Sequence, residues 1–458
     1  MMRSMYSGVS GLRVHQTRMD VIGNNIANVN TVGFKSGRVI FSDVFSQLSR
    51  GAGSPNLDTG RGGTNPMQIG LGANVYAIDN MMMRGSIQRT DNPTDLAIDG
   101  EGFFIVRGGM YDTFKFTRAG NFTLDSVGNL VTSSGMNVMG WQLYDYDPAT
   151  NRYSYDTEQP LEAINIYSDV HNGNKRIIAP SPTTLAQLTG NLDADAVSAD
   201  PVAGTDGTKY RVPFIAYDEI GNKHDITLVF EAQEANTSGA MRTREWTYTI
   251  EAGASAQIVS VGGTAGATGG SVVFGTGNTG ASSTTNGRVI TPASPVPVQI
   301  LSTDPSIAGL LSFTIDFSNM TQYASQSNVK AARVDGYTTG TFETFSIGSD
   351  GMISAVYSNG QMKPLAQIAL ATFENPGGLL KEGDNLFSQT TNSGVFTKGV
   401  LPTYEGTGQI APGTLEMSNV DLSREFSDMI VTQRGFQANT RIITTSDEML
   451  MELVNLKR

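Results

Sequence analysis

Both ends of this 458-residue chain carry apolar residues at helical spacing, with almost the whole polypeptide between them. At the start Met2, Met5, Val9, Leu12, Gln16, Met19, Gly23 and Ile26 alternate steps of three and four, which places them on one helical face. At the end Leu422, Phe426, Met429, Gln433, Phe436, Thr440, Ile443, Asp447, Leu450 and Val454 repeat the arrangement. Each seam is narrow, about two apolar residues per heptad. An ordinary amphipathic helix docked on its own domain is the plain reading. Seams this narrow at opposite ends of a long chain instead suit each other or a neighbouring subunit. Gly8, Gly11 and Gly23 interrupt the first stripe, and each costs roughly 1 kcal/mol relative to alanine in a helix interior. That stripe is expected to be marginal alone and to order on assembly, where glycine lets another backbone approach. Residues 1–35 hold four basic and one acidic side chain, residues 415–458 five basic and seven acidic, so opposite signs weakly favour pairing. Ser418, three residues before Asp421, offers a capping pair for the last helix.

A chain of this length accommodates two to four domains. Its 43 acidic and 31 basic residues give a net charge of -12, which repels phosphate backbones and anionic bilayers, so neither nucleic acid nor membrane insertion is expected. No run approaches the roughly 18 apolar residues of a spanning helix. The opening MMRSMYSGVSGLRVHQTRMD lacks the apolar core of a cleaved secretory signal. Cysteine is absent, which removes disulfides, thiolate metal sites and thiol nucleophiles.

Between the ends the period changes from helical to alternating. Residues 51–72 hold seven glycines with Pro55 and Pro66 and read as an irregular connector. DLAIDGEGFFIV (95–106) and FTRAGNFTLDSVGNLVTSSGMNVMGW (116–141) show short apolar alternations broken by glycine turns, one β-domain. In YDEIGNKHDITLVF (217–230) two runs flank a turn at 218–222, and REWTYTI puts Trp246, Tyr248 and Ile250 on one face. The Gly, Ala, Ser and Thr of 253–286 suggest exposed, loosely constrained loops. FSIGSDGMISAVYSNG and QIALATFENPGG then read as strands that rejoin the first β-domain.

Reactive chemistry finds no footing. His15, His171 and His224 stand apart, without acidic residues at metal-motif spacing, and His224 beside its turn reads as a surface hydrogen-bonding residue. GTGNTG (275–280) satisfies a phosphate-loop pattern, yet the following ASSTTNG has no helical pattern to aim amides at phosphate. Asp193, Asp195 and Asp200 lack the glycine and terminal glutamate of a calcium loop. No catalytic, cofactor-binding or metal-binding residue is assigned, and no enzymatic activity is expected.

NNIANVNTVGFKS (24–36) closely resembles the N-terminal signature of the bacterial flagellar rod and hook axial family, in its Asn-Ile-Ala-Asn core and the Thr-x-Gly-Phe-Lys that follows. SNVDLSREFSDMIVTQRGFQANTRIITTSDEMLMELVNL resembles the matching C-terminal segment, and NPMQIGLG, DLAIDGEGFFIV and FTRAGNF resemble blocks of the family's first globular domain. YDEIGNKHDITLVF and GNLDADA resemble outer-domain segments of hook-type members, and length favours that branch. The resemblance implies a mainly β fold with α-helical termini, the N- and C-terminal helices paired as a coiled coil, and a β-rich outer domain inserted in a β-rich inner domain. The expected division is 1–35 and 415–458 for the terminal helical core, 36–90 for the connector, 91–145 and 325–414 for the inner domain, and 146–324 for the outer domain, with room for a further subdomain around 230–300.

The function implied is that of a structural subunit of the flagellar hook, a homo-polymer forming a curved flexible tube that transmits torque from rod to filament as a universal joint. No cofactor is implied. The implied partners are the distal rod protein, the hook cap protein, the hook–filament junction protein and the flagellar export apparatus, with export not requiring a cleaved signal peptide. Residues expected to serve assembly are Met5, Val9, Leu12, Met19, Asn24, Asn25, Ile26, Asn28, Gly33 and Phe34 at one end, and Leu422, Phe426, Met429, Phe436, Ile443, Leu450 and Val454 at the other. Asn28, Asn30 and Gly33 supply the turn-compatible backbone that ends the first stripe and redirects the chain. Two alternatives stay open: a distal rod subunit with stiff contacts, and a β-sandwich surface adhesin or binding module, which would tolerate trimming of both termini.

Overall fold

A computed structural model describes residues 2–55, 62–109, 112–147, 152–171, 173–198, 207–233, 242–253, 256–276, 287–302, 310–404 and 406–456. Among them two α-helices stand at the chain ends, α1 (Met2–Ala27) and α2 (Leu422–Asn455), and strands make up most of the regular structure between them. The mainly β fold with helical termini is thus the observed one. The start of α2 differs from the expected capping pair. Asp421 is itself the N-cap, its carboxylate accepting from the Ser423 and Arg424 amides, while Ser418 Oγ accepts from Val420 N outside the helix. A short carboxylate on an extended residue reaches the second and third helical N–H groups directly, so no earlier cap is needed.

The segment after α1 forms an antiparallel ribbon, which takes only Met67–Gly70 from the stretch 51–72 expected to be irregular. Gly37–Asp43 pairs with Ala73–Asn80, and Ser46–Arg50 with Met67–Gly70. Val39, Ile40, Phe41, Val75, Tyr76 and Ile78 supply the β-branched and aromatic residues that favour pairing. Most of the glycines lie beyond the paired part, so they do not interrupt it.

The chain divides into two compact units, the first comprising 1–175, 345–355 and 363–458, and the second 176–344 and 356–362. In the first unit Asn137–Trp141, Phe103–Arg107, Phe114–Thr117, Leu386–Ser388 and Leu380–Gly383 lie side by side as antiparallel neighbours. Phe103, Ile105, Phe116, Met139, Trp141 and Phe387 form its core, with Phe373 edge-on to both Phe103 and Phe116. Leu96–Asp99 pairs with Gln409–Pro412, and Ile87–Arg89 with Thr414–Glu416, which carries the returning chain to the start of α2.

The second unit holds two sheets around one core. One runs Lys209–Tyr217, Lys223–Ala232, Arg242–Ala252, Gly269–Thr276 and Val289–Thr291; the other contains Ala256–Val261, Val296–Ser302, Leu310–Tyr323, Leu185–Asp193 and Lys330–Val334. Leu185–Asp193 and Leu310–Tyr323 run parallel. Trp246, Tyr248 and Ile250 point into the core as their alternation required. The stretch expected to be loose loops instead contributes Ala256–Val261 and Gly269–Thr276, with Val261, Val272 and Phe274 buried. Two of its glycines mislead because they serve close approach: a Cβ on Gly269 would collide with Tyr248 O, and one on Gly270 would lie 2.7 Å from the Tyr248 hydroxyl. His224 is buried, not at the surface, with Nε2 3.4 Å from Asp218 Oδ2. His171 Nε2 lies 2.7 Å from Glu162 Oε2. Asp193 Oδ1 accepts from Asp195 N, whereas Asp200 and residues 277–280 of GTGNTG lie outside the described residues.

Candidate assembly interface

The signature at 24–36 is where α1 is tied to the β structure. Asn25 is buried and its side chain works in three directions: Nδ2 donates to Gly37 O and to Glu425 Oε1, and Oδ1 accepts from Gly37 N. Asn28 Nδ2 donates to Asn24 O, helping to close the last turn. Gly33 then adopts φ +69°, and a Cβ there would sit 2.6 Å from Ala119 N. Only glycine combines that left-handed conformation with so close an approach. Phe34 is buried beneath Lys381, whose Nζ stands 3.8 Å from the ring centroid.

Lys35 continues inward to a buried ionic cluster. Its Nζ donates to Glu416 Oε1 at 2.7 Å and to Met83 O at 2.9 Å, while Gly85 N donates to the same Glu416 oxygen. Arg118 Nη1 donates to Glu416 Oε2 at 3.3 Å. One carboxylate therefore holds two buried cations. Burial pushes both Lys35 and Arg118 below their ordinary pKa values, with Glu416 opposing the shift. Asn419 locks the adjacent root of α2, its Oδ1 accepting from Ser36 N and its Nδ2 donating to Met81 O.

The helices run antiparallel, and their facing positions are mostly small or polar, with Ile442 and Ile443 as apolar exceptions beside Gly8. Gly8 lies against Asn439, Ile442 and Ile443, Gly11 against Asn439, and His15 against Gly435. Arg18 Nη2 donates to Asp428 Oδ1 at 3.1 Å, and the Asn25–Glu425 bond closes the line. Burial pushes the Glu425 carboxyl above its ordinary pKa despite that bond, with Asp428 adding to the rise. The contact line is thus 8, 11, 15, 18, 22 and 25 on α1, and 425, 428, 432, 435, 439, 442 and 446 on α2. Such a pair buries little apolar surface, and its exposed ion pair adds at most about 1 kcal/mol.

The apolar seams lie one residue further on in both helices. Met5, Leu12, Met19 and Ile26 are half-buried along α1, as are Met429, Phe436, Ile443 and Leu450 along α2; Val9, Leu422, Phe426 and Val454 are exposed. Each helix turns about 100° per residue. Because the helices are antiparallel, that rotation carries both seams to the same side of the pair, where they form one apolar edge. Asn24 is exposed, but it lies one residue before the contact position Asn25 and so on the opposite side of the pair from that edge. Sequence spacing located the apolar residues, but not the offset contact line, whose signal was the 3-4 spacing of Gly8, Gly11 and His15 with Gly435 and Asn439.

α2 also outruns its partner. Extrapolating the pairing from Gly8 opposite Ile443, the start of α1 falls opposite about residue 448, so roughly two turns of α2 extend beyond it. Met449, Met451, Leu453, Val454 and Leu456 in that overhang are all exposed.

Four family descriptions match the chain: Flagella basal body rod protein over 5–35, Flagellar hook protein FlgE/F/G D1 domain over 97–174, Flagellar basal body protein FlaE D2 domain over 187–337, and Flagellar basal body rod FlgEFG protein C-terminal over 411–456. The flagellar hook protein FlgE of Treponema pallidum is 38% identical over 100% of both chains. That of Borreliella burgdorferi is 39% identical, again over 100% of both. The flagellar basal-body rod protein FlgG of Bacillus subtilis is 30% identical over 100% of both.

Proposed function

The chain belongs to the flagellar hook protein family and is a structural subunit of the bacterial flagellar hook, and on that premise we propose that the apolar edge of its paired terminal helices joins copies into a tube. The supporting observation is that edge. Twelve seam positions from opposite ends of the chain fall on one side of a helix pair whose own contact needs none of the exposed ones, and the α2 overhang extends the same surface. A homo-polymer stacked through it would cover the edge and supply the apolar burial that the α1–α2 contact lacks.

The tube is a curved, flexible joint between rod and filament. Such a joint requires interfaces with several packings of similar energy. Facing positions occupied by glycine, asparagine, threonine and serine support this reading, since they interlock less than apolar knobs do and let the helices shift. Its partners are the distal rod, cap and junction proteins at the two ends of the tube, reached through the flagellar export apparatus.

The test uses Leu422→Asp and Val454→Asp, both at exposed seam positions, with electron microscopy under polymerising conditions. The wild-type chain is expected to form curved tubes. Each variant is expected to keep the wild-type unfolding profile as a monomer yet form no tubes, because assembly would bury an unpaired carboxylate. Normal tubes from both variants would remove the edge from the assembly, and straight, stiff wild-type tubes would favour a rod subunit.

A further inference from the structure

A cavity of about 120 Å³ opens beside the buried ionic cluster, walled by Met82, Phe103, Phe373 and Pro376, with Arg118 and Glu101 also lining it. Arg118 is 5% exposed, and its guanidinium uses one edge only: Nη1 donates to Glu416, whereas Nε is buried with no partner among the described residues. A buried N–H left unsatisfied is costly. Guanidinium and ring are also close, with Arg118 Cζ 5.2 Å from the Phe103 centroid, which holds the guanidinium in place. The unused side carries Nε and Nη2, the parallel pair of donors that a carboxylate accepts bidentately. The cavity has room for such a group, since one water occupies about 30 Å³ of liquid.

We infer that this cavity is a carboxylate-binding site, in which the Nε–Nη2 edge of Arg118 receives one monoanionic carboxylate against an apolar wall. Two sources fit the chemistry. Glu101 sits on the exposed turn between Leu96–Asp99 and Phe103–Arg107, lines the same cavity, and its carboxylate makes no hydrogen bond or ion pair among the described residues. An acidic side chain of a neighbouring copy is the other source, and that arm alone rests on the assembly proposed above. A carboxylate here would complete the charge balance of the two-cation, one-anion cluster and satisfy the orphaned Nε.

The experiment uses the full-length chain at concentrations where it is monomeric, with sodium acetate as probe and sodium chloride at matched ionic strength as control. The readouts are the Arg118 Nε–Hε resonance in a proton–nitrogen NMR spectrum and the thermal midpoint of the first unit followed through Trp141. In the Glu101→Ala chain, acetate but not chloride is expected to shift the resonance saturably and raise the midpoint. An apparent dissociation constant about tenfold weaker in the wild type assigns the site to Glu101, because a self-occupied site binds in proportion to its open fraction. Equal constants assign it to an outside carboxylate, and acetate then slows wild-type tube formation where chloride does not. No acetate-specific shift in the Glu101→Ala chain overturns the inference, a result that requires no substitution of Arg118 and leaves the helix-edge proposal untouched.

Discussion

Replacing Glu416 by glutamine changes one charge at the point where both helices meet the β structure. The Glu416 side chain is fully buried, and those of Lys35 and Arg118 are 1% and 6% exposed. Glutamine keeps the volume and one acceptor oxygen. If that oxygen serves Lys35 Nζ and Gly85 N, the new amide NH2 faces Arg118 Nη1, donor against donor; if it flips, the clash moves to Lys35. Two buried cations lose their counter-charge in either case. Removing one partner of a buried ion pair costs about 3–5 kcal/mol, equivalent to roughly two to three and a half orders of magnitude in the unfolding equilibrium. The two tryptophans make the measurement selective, since Trp141 lies in the core of the first unit and Trp246 in that of the second. In a Trp246→Phe background, Glu416→Gln is expected to lower the Trp141-detected urea midpoint by about 1 M or more, given slopes of about 1–3 kcal/mol/M. In a Trp141→Phe background the Trp246-detected midpoint stays put. A loss below about 1 kcal/mol in the first unit would mean that the cluster behaves like an exposed ion pair, and the reasoning would fail.

Gly33→Ala forces a side chain into φ +69° and places its Cβ 2.6 Å from Ala119 N and 2.8 Å from Arg118 C. The conformation alone costs about 1–2 kcal/mol, so the Trp141-detected loss should exceed that. Asp421→Ala removes the acceptor for two α2 amides and should cost about 0.5–2 kcal/mol, seen as reduced helicity by circular dichroism; unchanged helicity would mean the cap is redundant. Asp335 is pushed up by burial but held below its ordinary 3.8 overall by the Leu185 amide and by the Thr184 hydroxyl and amide. A depressed folded pKa contributes stability that is present above the unfolded value and lost as pH falls through the folded one. Asp335→Asn should therefore lower the Trp246-detected midpoint at neutral pH, with the gap to wild type closing below about pH 4; a gap independent of pH would refute the assignment.

The helices and most strands could be read from spacing because their side-chain period is set by the face they bury. Trp246, Tyr248 and Ile250 alternate because one side of their strand is core. The signal fails where glycine serves packing instead of turning, as at Gly270 against Tyr248, and where a carboxylate such as Asp421 caps its own helix. It fails more instructively at the helix pair. Hydrophobic periodicity marks the residues that leave water, and along α1 and α2 most of the residues that touch are small or polar, such as Gly8, Gly11, His15, Gly435 and Asn439. The Lys35–Glu416–Arg118 cluster joins Glu416 to cations 381 and 298 positions before it, and nothing local in the chain announces it.

The antiparallel course of α1 and α2 brings Met2 and Asn455 to the same tip of the helix pair. An affinity tag on either extremity would crowd one spot beside the α2 overhang, so moving it from one terminus to the other gains no distance from the stacking surface. The tight bend at Gly262 and Gly263, exposed between two strands of the second unit, is the better place to insert a reporter.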